Sequence, residues 1–187
     1  MLTNPAPRFC AQCGSPKIEF RIPHDDDRER HVCADCGHIA YLNPKLIVGT
    51  IPVWEDKVLL CKRAIEPRYG TWTLPAGFME ENETLEEGAA RETLEEAHAR
   101  VTITELYVTL SLPQISQVYV MFRASLDDLD FSAGTESLEV KLFTEAEIPW
   151  DQLAFRTISE SLKYFFADRK AGAYRPHVGE LRHPARS

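Results

Sequence analysis

Apolar and β-branched positions gather into short runs through the middle of the chain, separated by polar punctuation. Leu46–Trp54, Val58–Cys61 and Thr71–Leu74 read as strands, with Glu55-Asp56-Lys57 as a hairpin turn between the first two. The period then changes. Thr84-Leu85-Glu86-Glu87 has capping-box spacing and predicts a helix from there to about Ala97. Strand patterns resume at Val101–Leu110, Gln117–Ala124 and Leu138–Phe143, and Thr144–Glu147 repeats the capping-box spacing. Arg156–Ala171 predicts a second helix, with Ile158, Leu162, Phe165 and Phe166 on one side and Gly172 as its stop. From Tyr174 onward the chain is rich in Pro, His and Arg and has no periodicity, so 174–187 reads as a tail. Strands, helix, strands, helix is the order of an α+β domain, a mixed sheet with helices against it.

The first 40 residues do not share this pattern. They carry Cys10, Cys13, Cys33 and Cys36, two Cys-x-x-Cys pairs, each followed at once by a glycine, Gly14 or Gly37. In such a knuckle both sulfurs face one ion, and two knuckles supply the four thiolates of a tetrahedral Zn²⁺ site. A complete sulfur set leaves no position for substrate, so the role is structural. Asp25 to Arg30 reads as the solvated tip of this ribbon, and His24, His31 and His38 read as surface residues that complete no ligand set. Residues 41–46, with Pro44, form a linker, which gives a ribbon at 1–40 and a main domain at 41–173. The fifth cysteine, Cys61, lies inside a strand pattern and reads as a buried thiol.

Composition narrows the function. The chain has 187 residues, 44% of them hydrophobic, and no apolar run long enough to span a membrane or to act as a secretory core. A soluble, cytoplasmic protein is expected. The net charge of −8 argues against a general nucleic-acid binder. No GxGxxG, P-loop or serine nucleophile elbow is present.

That negative charge is concentrated. Glu80 to Glu96 holds eight glutamates and one arginine. With Glu92 at zero on a helical wheel, Glu95 lies at about −60° and Glu96 at about +40°. Three carboxylates on one narrow face destabilise a helix unless a cation sits among them, and carboxylate oxygens suit Mg²⁺ or Mn²⁺. Gly88 and Ala89, one turn earlier, are small enough to leave a ligand room, and Arg91 is within reach of Glu83 or Glu95. The opposite face, Ala90, Leu94 and Ala97, is expected to pack on the sheet.

Gly77, five residues, Glu83, seven residues and then Arg91-Glu92-Thr93-Leu94-Glu95-Glu96 resembles the signature of the Nudix hydrolases, which cleave phosphoanhydrides of nucleoside diphosphates linked to another group. Two positions depart from that pattern: Thr93 replaces an aliphatic residue, and His98 replaces the helix-ending glycine, at a stability cost of ~1 kcal/mol. With the four-Cys ribbon, Tyr41-x-Asn43-Pro44-Lys45, Leu59-Leu60-Cys61-Lys62-Arg63, Gly70-x-Trp72-x-Leu74-Pro75-Ala76-Gly77 and Glu136-Ser137-Leu138-Glu139, the chain resembles the plant-type FAD diphosphatase branch, also associated with ADP-ribose. The zinc-ribbon NADH diphosphatases, related to RNA-decapping enzymes, are the rival; their Ser-Gln-Pro-Trp-Pro-Phe-Pro stretch is replaced here by Leu110-Ser111-Leu112-Pro113-Gln114-Ile115-Ser116.

The resemblance implies an α/β/α sandwich around a mixed sheet, behind a small zinc ribbon. It implies Mg²⁺ or Mn²⁺ held by Glu92, Glu95, Glu96 and the backbone carbonyl of Gly77, with Glu96, Glu95 or Glu139 as the base. Glu83 is expected to orient Arg91 or a metal-bound water. Lys62 or Arg63 is placed against the substrate phosphates, Tyr69 and Trp72 against its rings, and Pro113 beside them; Trp72 also has the look of a core residue. Cleavage of FAD or ADP-ribose would give AMP and a second monophosphate. Relatives of this kind point to a homodimer. Two other classes compete: a ligand sensor without catalysis carrying a ribbon as a binding module, and an assembly protein. The sensor is disfavoured because every metal glutamate is retained.

Overall fold

The computed structural model describes residues 6–182. The chain divides into two compact units, one running to Pro44 and including Gln114–Ser116, the other comprising Lys45–Pro113 and the chain from Gln117 onward.

The first unit is a three-stranded antiparallel sheet, β1 (Ile18–Arg21), β2 (Arg30–Cys33) and β3 (Ile39–Ala40), with β2 in the middle. The acidic-basic stretch is its hairpin tip, where Asp26 accepts from the Arg30 Nε at 3.0 Å. Its buried apolar residues are Cys10, Pro23, Val32 and Cys33, too few to hold a domain by the hydrophobic effect alone. His24 is exposed, as expected, whereas His31 is half-buried against the Phe20 ring and His38 is also half-buried.

The second unit is built on a mixed sheet. β4 (Lys45–Trp54) and β5 (Lys57–Arg63) make the expected hairpin, with Glu55 at φ 53 in its two-residue turn. Beyond that turn the two strands part. β6 (Trp72–Thr73) pairs with β5 and β7 (Ala76–Phe78) with β4, so the third expected strand, 71–74, is reduced to the two residues of β6, and β7 follows it as a further short strand. β8 (Val101–Leu112), β9 (Gln117–Leu126) and β10 (Ser137–Phe143) complete the order β10-β5-β4-β9-β8, with β4 and β9 parallel.

Side chains alternate across these strands. Ile51, Val58, Leu60, Met121 and Phe143 face the helix α2 (Arg156–Ala171) and its Ile158, Leu162, Phe165 and Phe166. Val48, Leu59, Cys61, Val120 and Phe122 face the helix α1 (Leu85–Ala97). The result is a sheet with one helix on each face, the expected three layers. α2 ends at Gly172, φ 69, as its sequence requires. The second capping box caps only a single 3-10 turn, Glu145–Glu147, where Glu147 accepts from the backbone and side chain of Thr144.

Two expectations need correction. The chain after Tyr174 is not a tail without structure: His177–Glu180 forms β11, parallel to β8 at the sheet edge. The strand is fixed by Asp168, whose Oδ2 accepts from the Tyr107 hydroxyl at 2.9 Å, lies 2.8 Å from His177 Nε2 and accepts from the Arg175 amide at 3.2 Å. Residues 183–187 of that segment, and 1–5 of the ribbon, lie outside the described residues. The second correction concerns the face of α1. Leu94 is 49% exposed, whereas Gly88, Ala89, Glu92, Thr93, Glu96 and Ala97 are the buried residues. The helix turns its carboxylates toward the sheet, and small residues make that approach possible.

Thr93 explains itself here. Its hydroxyl donates to the Ala89 carbonyl at 2.8 Å and meets the Thr50 hydroxyl of β4 at 2.6 Å, all fully buried. Thr93→Val orphans the Thr50 hydroxyl and is expected to cost ~1–3 kcal/mol, whereas Thr50→Val leaves Thr93 bonded and costs less. The double valine variant should return close to wild-type stability in urea unfolding; additive losses would refute the pairing.

Candidate active site

α1 begins as written in its sequence: the Thr84 hydroxyl accepts from the Glu87 amide at 3.2 Å and the Glu87 carboxylate accepts from the Thr84 amide at 2.8 Å. It ends at His98 in the left-handed conformation, φ 47 and ψ 25, at the place where a glycine would be unstrained. The chain then returns across the helix end. Amides of Ser132 and Gly134 donate to the Ala97 and Glu96 carbonyls at 2.9 and 3.0 Å, satisfying two groups that every helix terminus leaves open. Gly134 is required by contact, since a Cβ there would strike the Glu95 carbonyl.

Between α1 and β7 lie the carboxylates. Gly77 carries no side chain because the Glu92 carboxyl occupies the space a Cβ would need. Arg91 is the hub of the cluster: its Nε and Nη2 each reach Glu83 at 2.9 Å, and its Nη1 reaches Glu92 at 2.8 Å and Glu95 at 3.1 Å. Glu83 also accepts from the Glu80 amide at 2.7 Å, and Arg91 chiefly holds its pKa down at about 2. Gly88 leaves room for that carboxyl. Arg91 therefore joins both partners the sequence offered it, and Glu92 besides.

Glu96 differs from the others. It is 7% exposed, and its Oε2 is buried with no hydrogen-bond partner. Burial first, then the charge of Glu92, pushes its pKa up to about 8, while Arg63 and the Ala76 amide pull the other way. Glu92 is also raised, by burial, against the opposing pull of Arg91. A buried carboxylate with an unbonded oxygen, beside a second buried carboxylate and a bare glycine backbone, fits a hard divalent cation. Among the described residues only the four ribbon sulfurs already converge on a point, all within 4.8 Å of one another.

Those sulfurs are unambiguous. Cys10 to Cys36 and Cys13 to Cys33 are each 3.6 Å apart, close to the ~3.8 Å edge of a tetrahedron with Zn–S bonds of ~2.3 Å.

The remaining sequence candidates separate. The charge of Arg63 reaches Glu96, and its Nε donates to the Pro67 carbonyl at 3.0 Å. Lys62 lies instead over the Trp72 ring, at 5.7 Å, opposite Glu139 of β10. Trp72 is 6% exposed and packed edge-on against Phe143, which makes it a core residue. Glu139 shares the α2 face with Lys141 and Phe143, away from the carboxylates; it is Glu136 whose charge is felt at Glu92 and Glu96. The bonds that tie residues 132 and 134 to the helix end carry Glu136 there, a placement the sequence motif did not distinguish from Glu139. Tyr69 is exposed on the loop after β5, and Pro113 opens the turn between β8 and β9.

Comparison with known proteins agrees with this geometry. Residues 43–167 match the family described as NUDIX domain, and residues 8–42 match the zinc-ribbon family described as Nudix N-terminal. The crystal structure of a NUDIX hydrolase from Nitrosomonas europaea is 59% identical, covers 94% of this chain and 99% of that one, and superposes with a TM-score of 0.90. NAD-capped RNA hydrolase NudC of Photobacterium profundum is 36% identical over 87 residues, 44% of this chain and 29% of that protein. ADP-ribose pyrophosphatase of Methanocaldococcus jannaschii is 43% identical over 51 residues, 27% of this chain and 30% of that protein. The matched stretch thus spans less than a third of each of these two relatives.

Proposed function

The chain belongs to the Nudix family, and we propose that it is a diphosphatase that splits ADP-ribose or FAD into AMP and a second monophosphate. The observation that carries this reading is the unbonded Oε2 of Glu96, buried beside Glu92 and under the bare backbone of Gly77. Glu92, Glu95, Glu96 and the Gly77 carbonyl are the groups that would hold Mg²⁺ or Mn²⁺. Such a cation supplies neutralisation of the diphosphate and acidification of water in the site. Arg91 keeps Glu83, Glu92 and Glu95 in fixed geometry, which removes the reorganisation that free glutamates would need. A carboxylate accepts the proton of the attacking water. Glu96 or Glu95 is the candidate drawn from sequence, and Glu136 takes the place proposed there for Glu139. Arg63 faces the substrate's negative charge.

A second reading, cleavage of NAD(H)-type diphosphates, is favoured by the likeness to NudC and opposed by the 110–116 stretch. A panel of FAD, ADP-ribose, NADH and a dinucleoside polyphosphate with Mg²⁺ or Mn²⁺, read by chromatography of mononucleotides, separates them. FAD or ADP-ribose is expected to be cleaved fastest. NADH in the lead would overturn the substrate assignment and keep the chemistry, and no turnover by metal-bound protein would overturn both.

A further inference from the structure

Arg123 lies two residues beyond Met121 along β9, so it shares the α2 face of the sheet, opposite the carboxylates of α1. It is half-buried there. Its guanidinium carbon lies 3.8 Å from the centre of the Tyr174 ring, and its Nη2 pairs with Glu105 Oε1 at 2.9 Å. Its Nη1 is buried and has no hydrogen-bond partner among the described residues. A guanidinium nitrogen taken out of water without an acceptor carries a desolvation cost that nothing in the fold returns.

The same arginine borders a cavity of about 200 Å³, whose walls include Val53, Thr104, Ser125, Phe165 and Tyr174. A cavity of about 150 Å³ admits benzene, so this one has room for a single ring and a small polar group. Phe165 and Tyr174 stack with ring centres 5.7 Å apart and make an aromatic wall. The Thr104 hydroxyl is already committed, donating to the Arg123 carbonyl at 2.7 Å, and Ser125 is exposed at the mouth. Charge then decides the polar group. Arg169 lies 4.9 Å from the centre of the Phe165 ring and gives its Nη groups to the Glu55 and Asp56 carbonyls, at 2.6 Å, and not to a carboxylate. Asp168 is engaged by Tyr107, His177 and the Arg175 amide. Two guanidiniums thus stand on the aromatic wall against one carboxylate, Glu105. That balance favours a monoanion, and a planar carboxylate matches the guanidinium that has a nitrogen to spare.

We propose that this cavity binds a small aromatic carboxylate, with the carboxylate on Arg123 Nη1 and the ring against Val53 and Phe165, at a site separate from the carboxylates of α1. Neither the site nor its ligand depends on the diphosphatase reading. Benzoate is the probe, titrated into the zinc-bound full chain and followed by backbone amide chemical shifts. Saturable shifts centred on Arg123, Ser125 and Tyr174 are expected, with Gly77 and Glu96 unmoved. Benzamide, of the same shape but without charge, should bind about tenfold more weakly. Ser125→Phe fills the mouth of the cavity from an exposed position and should abolish binding. Arg123→Met combined with Glu105→Gln removes the cation without stranding its partner and should weaken binding about tenfold or more. Shifts centred on the carboxylates of α1, benzamide binding as well as benzoate, or full binding by either variant would overturn the site. Failure of benzoate to bind would overturn it too, and would leave the spare Nη1 to water alone.

Discussion

Glu96→Gln is expected to lower kcat on the order of a thousandfold and, in protein without divalent cations at pH 8, to raise the melting temperature. Both effects come from the same burial. A carboxylate whose pKa in the folded chain is about 8, against an ordinary value of 4.5, binds a proton more tightly folded than unfolded. The folded state is therefore favoured below the ordinary carboxylate range and loses that advantage as pH rises from about 4.5 through 8. At pH 8 the loss is on the order of 3 kcal/mol, or about 5–10 °C for a chain of this size. Glutamine carries no charge to desolvate, so the variant should show a flatter stability profile over that range. Addition of Mg²⁺ or Mn²⁺ should stabilise wild-type protein most at high pH and the variant hardly at all. Calorimetric melting across pH, with and without the cation, measures this directly. A variant that melts with the same pH dependence as wild type would mean that Glu96 is not the strained carboxylate, and one that retains activity would remove it from the site.

Cys33→Ser is expected to release zinc from the ribbon and unfold it. The first unit buries Cys10, Pro23, Val32 and Cys33, so half of its small apolar core consists of cysteines of the proposed zinc site. Structural zinc contributes about 10 kcal/mol or more to such a fold, and nothing else in the unit approaches that. Metal analysis should show loss of the zinc. Limited trypsin digestion should then cut faster than in wild type at Lys17, Arg21, Arg28 and Arg30, whose backbone the folded ribbon holds in or beside its strands. A variant that keeps its zinc and resists cleavage would show that the thiolates are not what holds the ribbon.

The motifs that survived the passage from sequence to structure are those whose physics is local. The Thr84 box, the αL ending at His98, the Gly172 stop and the two cysteine knuckles each depend on residues within a few positions of one another. What failed depended on contacts across the fold. The wheel placed Leu94 against the sheet by hydrophobicity alone, but the helix approaches through Ala89 and Thr93, because Thr50 waits opposite with a hydroxyl to be matched. Glu139 matched a motif position, yet alternation along β10 sends it to the α2 face beside Lys62, and the loop bonds of residues 132 and 134 deliver Glu136 instead. β11 has no periodicity because its place is fixed by Asp168 through Tyr107 and His177, not by an apolar face.

By itself the sequence determined the family signature, the two cysteine knuckles and where α1 and α2 begin and end, since caps, turns and knuckle spacings are written in adjacent residues. Only the tertiary structure decided which carboxylate is buried without a partner and which glutamate of the 136–139 stretch stands near it. Those outcomes turn on strand alternation, close backbone approach at Gly77 and Gly134, and burial, each of which depends on residues distant along the chain.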